Sequence, residues 1–532
     1  MTPSCYRMYL QPIFILMLLV SLSGHLSVGL AKTYYVDPTT GNDKNPGTSR
    51  TAPWQTLPGT RQKSDQTWLR QAWGDRTSAQ KFEPGDTIEL KAGRTMQAAI
   101  GGRLVIDSTF YHNGTATAPI TIRVSADWGN GHFTYNMAGM AVPAYDSMVL
   151  IRSRDYVHLR GANEERRFVV TDAPGDWAIS VVGNRDRHQR GSRFEYIETR
   201  NGKKGGLNIS YADHWTVAHA ISHDNGQIGF AVGEMDDKHA DSGTFQDSTT
   251  YRNGLRGDSH GIRHGFGVYG GTNITFLRCI SHDNGRDGFD FGTTSNSHDS
   301  STAVINSAAY NNGEDGFATN GGSGKNTTTY LNSIAYNNGQ AGWHIYDGVD
   351  ATLYHTIAHH NGNQRSFGGN FMIYSENLVT TAIIRNSIGY KPKSYANVYS
   401  YNSRGLKTHI DSDYNIFVPR SSNSEVMSET PFGTSQTYKS PPTWIGPHDK
   451  IGLKYDPDFV HVGTGNFTQN DYHLASPNGA AVNAGTALPH TIAVQDRDGQ
   501  NRSGNVDIGL YQHNPSAPNL SPPTSLQLLR QK

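Results

Sequence analysis

Short apolar stretches alternate with polar turns along most of the chain, and one such pattern recurs. Its copies read SHDNGQIGFAVG at 222–233, SHDNGRDGFDFG at 281–292, AYNNGEDGFATN at 309–320 and AYNNGQAGWHIY at 335–346. Each copy places a polar Asn-Gly turn ahead of one core aromatic residue. Strands of this length, separated by Gly, Asn and Asp and without a long helical period, predict an all-β fold.

The spacing of the repeat indicates the architecture. The turn asparagines follow one another at 28, 31, 28, 26 and 23 residues, and the aromatics at 36, 23, 28, 26 and 28. Two markers with a shared period predict a solenoid, and this period suits a parallel β-helix with three short strands per coil. We expect the asparagines to stack at one corner and the aromatics to stack inside. The two sets are Asn225, Asn253, Asn284, Asn312, Asn338 and Asn361, and Phe230, Phe266, Phe289, Phe317, Trp343 and Phe371.

The regions outside the repeat divide the chain into five parts. They are a signal peptide at 1–31, an N-terminal cap with the first coils at 32–150, the core with the site at 151–420, C-terminal coils and loops at 421–513, and a tail at 514–532 that is predicted to be disordered. Trp68–Trp73 has helical spacing and is predicted to cap the open end of the core. Asp456–Phe459 and Tyr472–Leu474 predict two final strands.

The N-terminus predicts export. Arg7 precedes an apolar run from Ile13 to Val20, and the small residues Gly29 and Ala31 flank a predicted cleavage site near Ala31. The alternative, an uncleaved anchor, requires a longer apolar span. We therefore expect a secreted or periplasmic protein that is free of the membrane after the signal is removed.

Composition narrows the classes of partner. Lys+Arg and Asp+Glu each number 46, giving a net charge of +0, so a nucleic-acid partner is not expected. Hydrophobic residues make up 35% of the chain, which suits the thin core of a solenoid better than a globular α/β enzyme. Cys5 leaves with the signal, so Cys279 is a lone thiol and no internal disulfide is expected. We expect a monomer.

Several stretches resemble known proteins. YYVDPTTGNDKNPGTSRTAPWQTL at 34–57, Pro84–Gly93 and DRDGQNRSGNVDIGLYQ at 496–512 resemble the ends of secreted right-handed parallel β-helix proteins of the pectate-lyase-like superfamily. The middle, with DNGRDGFDFG and EDGFATNGGSG, resembles polysaccharide lyase family 9. The resemblance implies β-elimination of uronic-acid polysaccharides, with calcium neutralising the sugar carboxylate and a lysine removing the C5 proton.

The resemblance also implies positions for the site. The family's calcium-binding run Asp-Asp-Gly-x-Asp falls on residues 286–290, where Asp287 and Asp290 match and Arg286 replaces the first acid. A further family acid falls in Arg263-His264-Gly265, and the lysine position holds Ala318.

Strand alternation provides a second route to the site. If the aromatics point inward, the residues one place after them and two places before them point outward. Polar side chains in these columns gather in consecutive coils, and the coils on either side lack them. They are His264, Asp287, Asp290, Asp315 and His344, with Arg263, Arg286 and Glu314 beside them.

These residue types have the chemistry that elimination from a uronate requires. Carboxylates in neighbouring coils suit a hard cation, and the alternative is that they cap turn amides. Elimination also needs a base near C5 and positive charge at the sugar carboxylate. The candidate Ca²⁺ ligands are Asp287, Asp290, Glu314 and Asp315; the candidate bases are Lys325, His264 and His344; the candidate substrate-binding residues are Arg263 and Arg286, with Tyr269, Tyr346 and Tyr374 as a stripe for sugar stacking.

The sequence therefore predicts a calcium-assisted polysaccharide lyase that acts on an acidic, uronate-containing glycan. Two other classes stay open at this point. One is a glycoside hydrolase or a uronate epimerase on the same scaffold, and for a hydrolase Asp287, Asp290 and Asp315 could supply the paired carboxylates. A non-catalytic glycan-binding β-helix is favoured by Ala318 at the lysine position.

Overall fold

The protein is described by a computed structural model. It covers residues 30–61, 81–140, 147–233, 238–255, 262–292, 299–322, 324–362, 368–393, 396–404, 406, 408–422, 427–431, 436–438, 442–463, 470–488, 495–502, 504 and 506–513. The body of the predicted signal peptide, the predicted helix at Trp68–Trp73 and the predicted tail lie outside the described residues.

Short strands make up nearly all of the regular structure. The helical elements in the described ranges are α1 (Ala98–Gly101) and a single 3-10 turn at Leu453–Tyr455. In chain order the strands are β1 (Thr33–Val36), β2 (Thr60–Arg61), β3 (Thr87–Ala92), β4 (Thr95–Gln97), β5 (Arg103–Ile106), β6 (Ile120–Gly129), β7 (Phe133–Asn136), β8 (Ser147–Arg152), β9 (Val157–Arg160), β10 (Phe168–Thr171), β11 (Trp177–Val182), β12 (Gln189–Arg190), β13 (Arg193–Glu195), β14 (Ile197–Arg200), β15 (Gly205–Ser210), β16 (Ala212–Asp213), β17 (Thr216–Ala218), β18 (Ile221–His223), β19 (Ile228–Val232), β20 (Ala240–Asp241), β21 (Thr244–Gln246), β22 (Thr249–Tyr251), β23 (Phe266–Val268), β24 (Ile274–Leu277), β25 (Ile280–His282), β26 (Phe289–Gly292), β27 (Ser300–Ile305), β28 (Ala308–Tyr310), β29 (Phe317–Asn320), β30 (Asn326–Leu331), β31 (Ile334–Tyr336), β32 (Ala341–Tyr346), β33 (Val349–Tyr354), β34 (Ile357–His359), β35 (Gly369–Ser375), β36 (Thr381–Arg385), β37 (Ile388–Tyr390), β38 (Val398–Asn402), β39 (His409–Asp413), β40 (Ile416–Val418), β41 (Met427–Pro431), β42 (Gln436–Tyr438), β43 (Lys450–Ile451), β44 (Phe459–His461) and β45 (Asp471–Leu474).

These strands form three long sheets, and each coil contributes one strand to each sheet. Sheet 1 runs β1-β3-β6-β9-β13-β17-β21-β24-β27-β30-β33-β36-β39, sheet 2 runs β4-β7-β10-β14-β18-β22-β25-β28-β31-β34-β37-β40-β43, and sheet 3 runs β2-β5-β8-β11-β15-β19-β23-β26-β29-β32-β35-β38-β41-β42. The pairing is parallel throughout the repeat, for example between β23, β26 and β29. The predicted right-handed parallel β-helix with three strands per coil is confirmed.

The turn asparagines form the predicted ladder between sheets 2 and 3. In one rung, the side-chain amide of Asn284 donates to Oδ1 of Asn312 at 3.0 Å, and the amide of Asn312 donates to Oδ1 of Asn338 at 3.0 Å. Each Oδ1 also accepts the backbone N–H of the preceding asparagine. The buried turn thereby satisfies its polar groups without water.

Two local requirements of this turn explain the sequence motif around each asparagine. The preceding residue adopts a left-handed conformation, as at Asp283 with φ 54° and Asn311 with φ 55°, which Asn and Asp tolerate better than most residues. The glycine before the core aromatic makes room for the next asparagine, since a Cβ on Gly288 would lie 2.7 Å from Nδ2 of Asn312. The Asn-Gly-x-x-Gly-aromatic pattern is therefore dictated by coil stacking.

The core aromatics stack along the axis as predicted. The ring centroids of Phe266 and Phe289 lie 4.9 Å apart, those of Phe289 and Phe317 4.8 Å apart, and those of Phe317 and Trp343 5.2 Å apart. All four side chains are fully buried. This stack fixes which residues of sheet 3 point outward.

The C-terminal region packs on the outside of the helix. The predicted final strands are observed as β44 and β45, but they pair antiparallel with each other and lie outside the three long sheets. Tyr472 packs with Tyr336 of sheet 2, and its hydroxyl lies 3.0 Å from Nδ1 of His359. Among the described residues, no helix has the length and apolarity needed to cross a membrane.

Candidate functional site

The polar cluster lies on the outer face of sheet 3, across β23, β26, β29 and β32. Register pairing aligns Gly267, Asp290, Ala318, His344 and Met372 in one column. This column is the one predicted from alternation, and Ala318 separates its two polar members. Because parallel strands are about 4.8 Å apart, Asp290 and His344 are separated by roughly 10 Å along the axis.

His264 is held between two carboxylates of the following coil. Its Nδ1 lies 3.0 Å from Oδ2 of Asp287, and its Nε2 lies 3.3 Å from Oδ2 of Asp290. The three side chains are buried, with exposures of 5%, 6% and 10% respectively. We call these three residues the His264 group.

Asp315 and His344 form a second pair, one and two coils further on. Nδ1 of His344 lies 2.9 Å from Oδ2 of Asp315. The backbone N–H of Asp315 donates to Oδ1 of Asp287 at 2.9 Å, which links this pair to the His264 group. Nε2 of His344 and Oδ1 of Asp315 are buried without a hydrogen-bond partner. A buried polar atom without a partner calls for an explanation, and a role in binding or catalysis is one of them.

Burial and mutual attraction together set the protonation of the cluster. Burial lowers the pKa of His264 and of His344, but the neighbouring carboxylates outweigh it, so the pKa of each imidazole lies above its usual value. Burial raises the pKa of Asp315 to about 6 and also raises the pKa of Asp290. The positive charge of His264 and its hydrogen bond to Asp287 outweigh the effect of burial, so the pKa of Asp287 is lowered. The site therefore brings proton donors and proton acceptors together.

The predicted arginines lie beside the cluster on its N-terminal side. Arg286 pairs with Glu314 at 2.9 Å, and 44% of the Arg286 side chain is exposed. Its backbone N–H donates to the carbonyl oxygen of Arg263 in the preceding coil. Glu314, predicted as a metal ligand, is thus engaged by a guanidinium group. Arg286 retains exposed surface through which it can contact a substrate carboxylate.

Lys325 lies apart from these pairs. It follows the turn that leaves sheet 3 and precedes β30 of sheet 1, its backbone N–H donates to Asp299, and its side chain is exposed. The catalytic role of Lys325 stays a prediction, but the contacts place His264 and His344, and not Lys325, in the cluster.

The predicted tyrosine stripe is wrong as one continuous surface. The column three places after the core aromatic contains Gly292 and Asn320 before it reaches Tyr346 and Tyr374. Tyr269 lies at the other end, where its hydroxyl is buried and a Cβ on Gly267 would approach it to 2.7 Å. Burial raises the pKa of Tyr269 well above its usual value. Tyr269 therefore belongs with the charged cluster.

Asn320 is a site residue that the sequence reasoning missed. Its side-chain amide donates to Oδ1 of Asp290 at 2.9 Å. The sequence carries a signal for this residue, because Asn320 occupies the same outward column as Tyr346.

The donor set departs from what calcium prefers. Ca²⁺ takes six to eight oxygen ligands, whereas imidazole nitrogen suits transition metals. Here the imidazole of His264 lies between the carboxylates of Asp287 and Asp290, and Oδ1 of each carboxylate already accepts an N–H. Arg286 stands where the resemblance implies another acid. The residues as arranged do not fit the implied calcium site, and calcium dependence stays a prediction for experiment.

Comparison with known proteins bears on the fold. No protein family and no curated protein matches the sequence. The crystal structure of pectate lyase Pel9A is similar to this chain, with 18% identity, a TM-score of 0.52, and coverage of 91% of this chain and 96% of that chain. The chain has the parallel β-helix fold. The complex of XylC with xylose has a TM-score of 0.52 at 10% identity and covers 90% of this β-helix and 98% of that chain. A rhamnogalacturonan lyase covers 72% of this chain and 87% of that chain, at 16% identity and a TM-score of 0.43. The predicted resemblance is confirmed as a likeness of fold.

Proposed function

We propose that the protein is a polysaccharide lyase that cleaves a uronate-containing glycan by β-elimination. The observation that carries this proposal is the oriented Asp315–His344 pair, which lies one and two coils beyond Asp287 and Asp290, with the half-exposed Arg286 adjacent to Asp287. The likeness to a protein whose name is pectate lyase supports the same reaction class. In keeping with the predicted N-terminal signal, we propose that the protein acts outside the cytoplasm, as a monomer.

His344 is the proposed base. When Nδ1 of His344 carries the proton and donates it to Asp315, Nε2 presents a lone pair, and the carboxylate stabilises the imidazolium that forms. Removal of the C5 proton by Nε2 leaves the electron pair to form the C4–C5 double bond. The C4–O bond then breaks, and the glycosidic oxygen leaves with a proton from Asp290, which His264 can resupply across 3.3 Å.

Arg286 is the proposed electrostatic group. Abstraction at C5 places negative charge on the adjacent carboxylate, so a fixed cation there lowers the barrier. A guanidinium binds a carboxylate through two parallel hydrogen bonds, and Arg286 is half-exposed on the same face as the cluster. No step in this scheme passes through a metal ion.

A glycoside hydrolase is the second candidate, because the raised pKa of Asp315, about 6, is a property of a general acid. The deciding assay follows ultraviolet absorbance and reducing ends together on a panel of uronic-acid polysaccharides. A lyase produces both signals. Reducing ends without absorbance would indicate hydrolysis, and binding without chain shortening would indicate an epimerase or a binding protein.

Variants connect the activity to the site. We expect His344→Gln to lower kcat by about 100-fold or more, because general base catalysis contributes that much. His188→Gln is the matched control, since His188 forms a similar pair with Asp213 at 2.8 Å next to β12, several coils before the cluster. Equal activity of the two variants would refute the role of His344.

A further inference from the structure

We propose that the outer face of sheet 1, at its N-terminal end, binds an anionic polysaccharide at a second site, separate from the polar cluster on sheet 3. The inference rests on the proposed function for the class of glycan, but it does not need that glycan to be cleaved. The observation behind it is an excess of cations at the surface of the first coils. There, three buried carboxylates are each paired with two basic side chains, and we call these sets the basic trios.

The first basic trio is built on Glu89 of β3. Oε1 of Glu89 lies 2.6 Å from Nη2 of Arg50, and Oε2 lies 2.8 Å from Nη2 of Arg123 in β6. The Glu89 side chain is 4% exposed, whereas those of Arg50 and Arg123 are 36% and 47% exposed. The carboxylate therefore lies beneath two guanidinium groups, which form the outer surface.

The second basic trio repeats this arrangement on Glu195 of β13. Its carboxylate lies 2.6 Å from Nη2 of Arg193 and 3.2 Å from Nη2 of Arg160 in β9. The Glu195 side chain is 11% exposed, and those of Arg193 and Arg160 are 51% and 42% exposed. Here too the cations, and not the acid, face the solvent.

The third basic trio lies at the N-terminal edge of this face and is built on Asp37, whose side chain is completely buried. Its carboxylate lies 2.8 Å from Nζ of Lys91 and 3.1 Å from Nε of Arg94. Trp128 also contacts the cations here, since Nζ of Lys91 and Cζ of Arg50 lie 5.3 Å and 5.8 Å from its ring centroid. Such cation–π contacts hold the cations in place before a ligand binds, so less side-chain freedom is lost on binding.

The strand register brings like charges together on this face. Glu89, Arg123, Arg160 and Glu195 form one column across successive strands of sheet 1. Arg123 and Arg160 are therefore direct neighbours, about 4.8 Å apart along the axis. Like charges in directly opposite positions are unfavourable, and an anion bound over the two arginines relieves this repulsion.

The charges of this surface do not balance. One cation neutralises a buried carboxylate, so the second cation of each trio is in excess. Asp127, which is 73% exposed and lies 2.6 Å from Arg50, offsets one of these charges. His158, the register partner of Arg193, is neutral at pH 7, because burial and the charge of Arg193 lower its pKa to about 4. The surface thus keeps positive charge in a chain whose net charge is +0.

A polyuronate matches this surface in charge and in length. A guanidinium group has five N–H donors, and Arg160 and Arg193 each contact Glu195 through Nη2, so donors remain for the carboxylates of a ligand. The trios on Glu89 and Glu195 lie three coils apart, about 14 Å along the axis. A polymer with a carboxylate on each sugar can contact both trios at once, whereas a single sugar cannot.

The test measures binding of the full-length protein to polygalacturonate by affinity electrophoresis, with dextran as the neutral polymer. The His344→Gln background limits cleavage during the measurement. Arg123→Gln combined with Arg160→Gln should weaken binding by about four- to twentyfold, because each exposed ion contact contributes a factor of about two to five. Arg252→Gln combined with Arg278→Gln is the control with the same change in net charge, since both arginines form one-to-one ion pairs with aspartates. The control should change the affinity by less than about twofold.

Equal weakening by the two double variants, or no weakening by either, would overturn the inference. Equally tight binding of duplex DNA, at the same concentration of negative charge, would overturn the assignment to a glycan. Asp127→Asn tests the same surface without disturbing a buried carboxylate, and it should tighten binding by about twofold; no change would contradict the inference.

Activity distinguishes this surface from the site on sheet 3. We expect the same kcat/KM on a short uronate oligosaccharide for the wild type and for the Arg123 and Arg160 double variant. A lower value would place these arginines in the reaction site and contradict the inference. If the wild type cleaves no glycan, the lyase proposal fails, and the binding comparison still decides whether the basic trios hold a polyuronate.

Discussion

Replacing Asn312 by alanine is the most direct test of how the coils are held together. Its Oδ1 accepts the backbone N–H of Asn284 at 3.2 Å and the Asn284 amide at 3.0 Å. Its own amide donates to the carbonyl oxygen of Ser281 at 3.1 Å and to Oδ1 of Asn338 at 3.0 Å. The substitution removes all four bonds from a turn where Asn312 is 2% exposed.

The magnitude follows from the number of bonds lost. Each intramolecular hydrogen bond contributes about 1 kcal/mol net, and a buried donor without a partner costs about 1–3 kcal/mol. Four lost bonds, including the one made by the buried N–H of Asn284, give an expected loss of about 4 kcal/mol in the free energy of unfolding. Neighbouring coils share this ladder, so the loss should appear as destabilisation of the repeat and not of one turn alone.

Urea unfolding monitored by circular dichroism and tryptophan fluorescence measures this loss. Asn130→Ala is the control, because Asn130 is exposed and makes a surface contact with Arg166; it should change stability by less than about 0.5 kcal/mol. Gly288→Ala should destabilise like Asn312→Ala, since its Cβ would collide with the Asn312 amide at 2.7 Å. If Asn312→Ala lost no more stability than the control, the ladder would not be what holds the coils together.

Three further predictions concern charge. The acid limb of the pH–rate profile should lie above pH 6.5, because His344 must be neutral to act and its pKa is raised; Asp315→Asn should move this limb to lower pH. If His264 keeps its place between the carboxylates, a metal chelator should leave the reaction rate unchanged. The variant His264→Asp should show a rise in melting temperature that depends on Ca²⁺. A loss of rate on chelation that Ca²⁺ restores would support the calcium prediction instead. Burial lowers the pKa of His473, but Asp471 and Asp498 outweigh it and raise this pKa to about 9. The resulting stabilisation, up to about 3 kcal/mol, is complete below pH 6.5 and is lost as the pH rises through about 9. Thermal melts across that range should show the loss, and His473→Gln should flatten it.

The periodic part of the fold was predictable because the same residue type occupies the same structural position in successive coils. Asn284 and Asn312 occupy identical turns, and Phe289 and Phe317 occupy identical core positions, so the sequence interval measures the coil directly. Once the register is known, strand alternation places Asp290 and His344 in one outward column.

The contacts within the site were not predictable, because they depend on side-chain directions across coils. The sequence placed His264 near Asp287, but only the structure shows its two nitrogens bound to two different carboxylates. The position of Asp315 in the repeat predicts a metal ligand, whereas its carboxylate pairs with His344 in the following coil. The outer packing of β44 and β45 has no period, so nothing in the repeat indicates that they leave the sheets.

Basic side chains that pair with the acids explain how the cluster is stable in this protein. A calcium site concentrates carboxylates whose repulsion the ion removes, and buried charges without compensation are very unfavourable. Here the compensating charges are covalent parts of the chain: His264 lies between Asp287 and Asp290, and Arg286 binds Glu314. The same groups that neutralise the carboxylates would hold the protons and the cation in the proposed β-elimination. In a β-helix each position contacts mainly the coils above and below, so residues in two adjacent coils can compensate each other's charge without altering the rest of the solenoid.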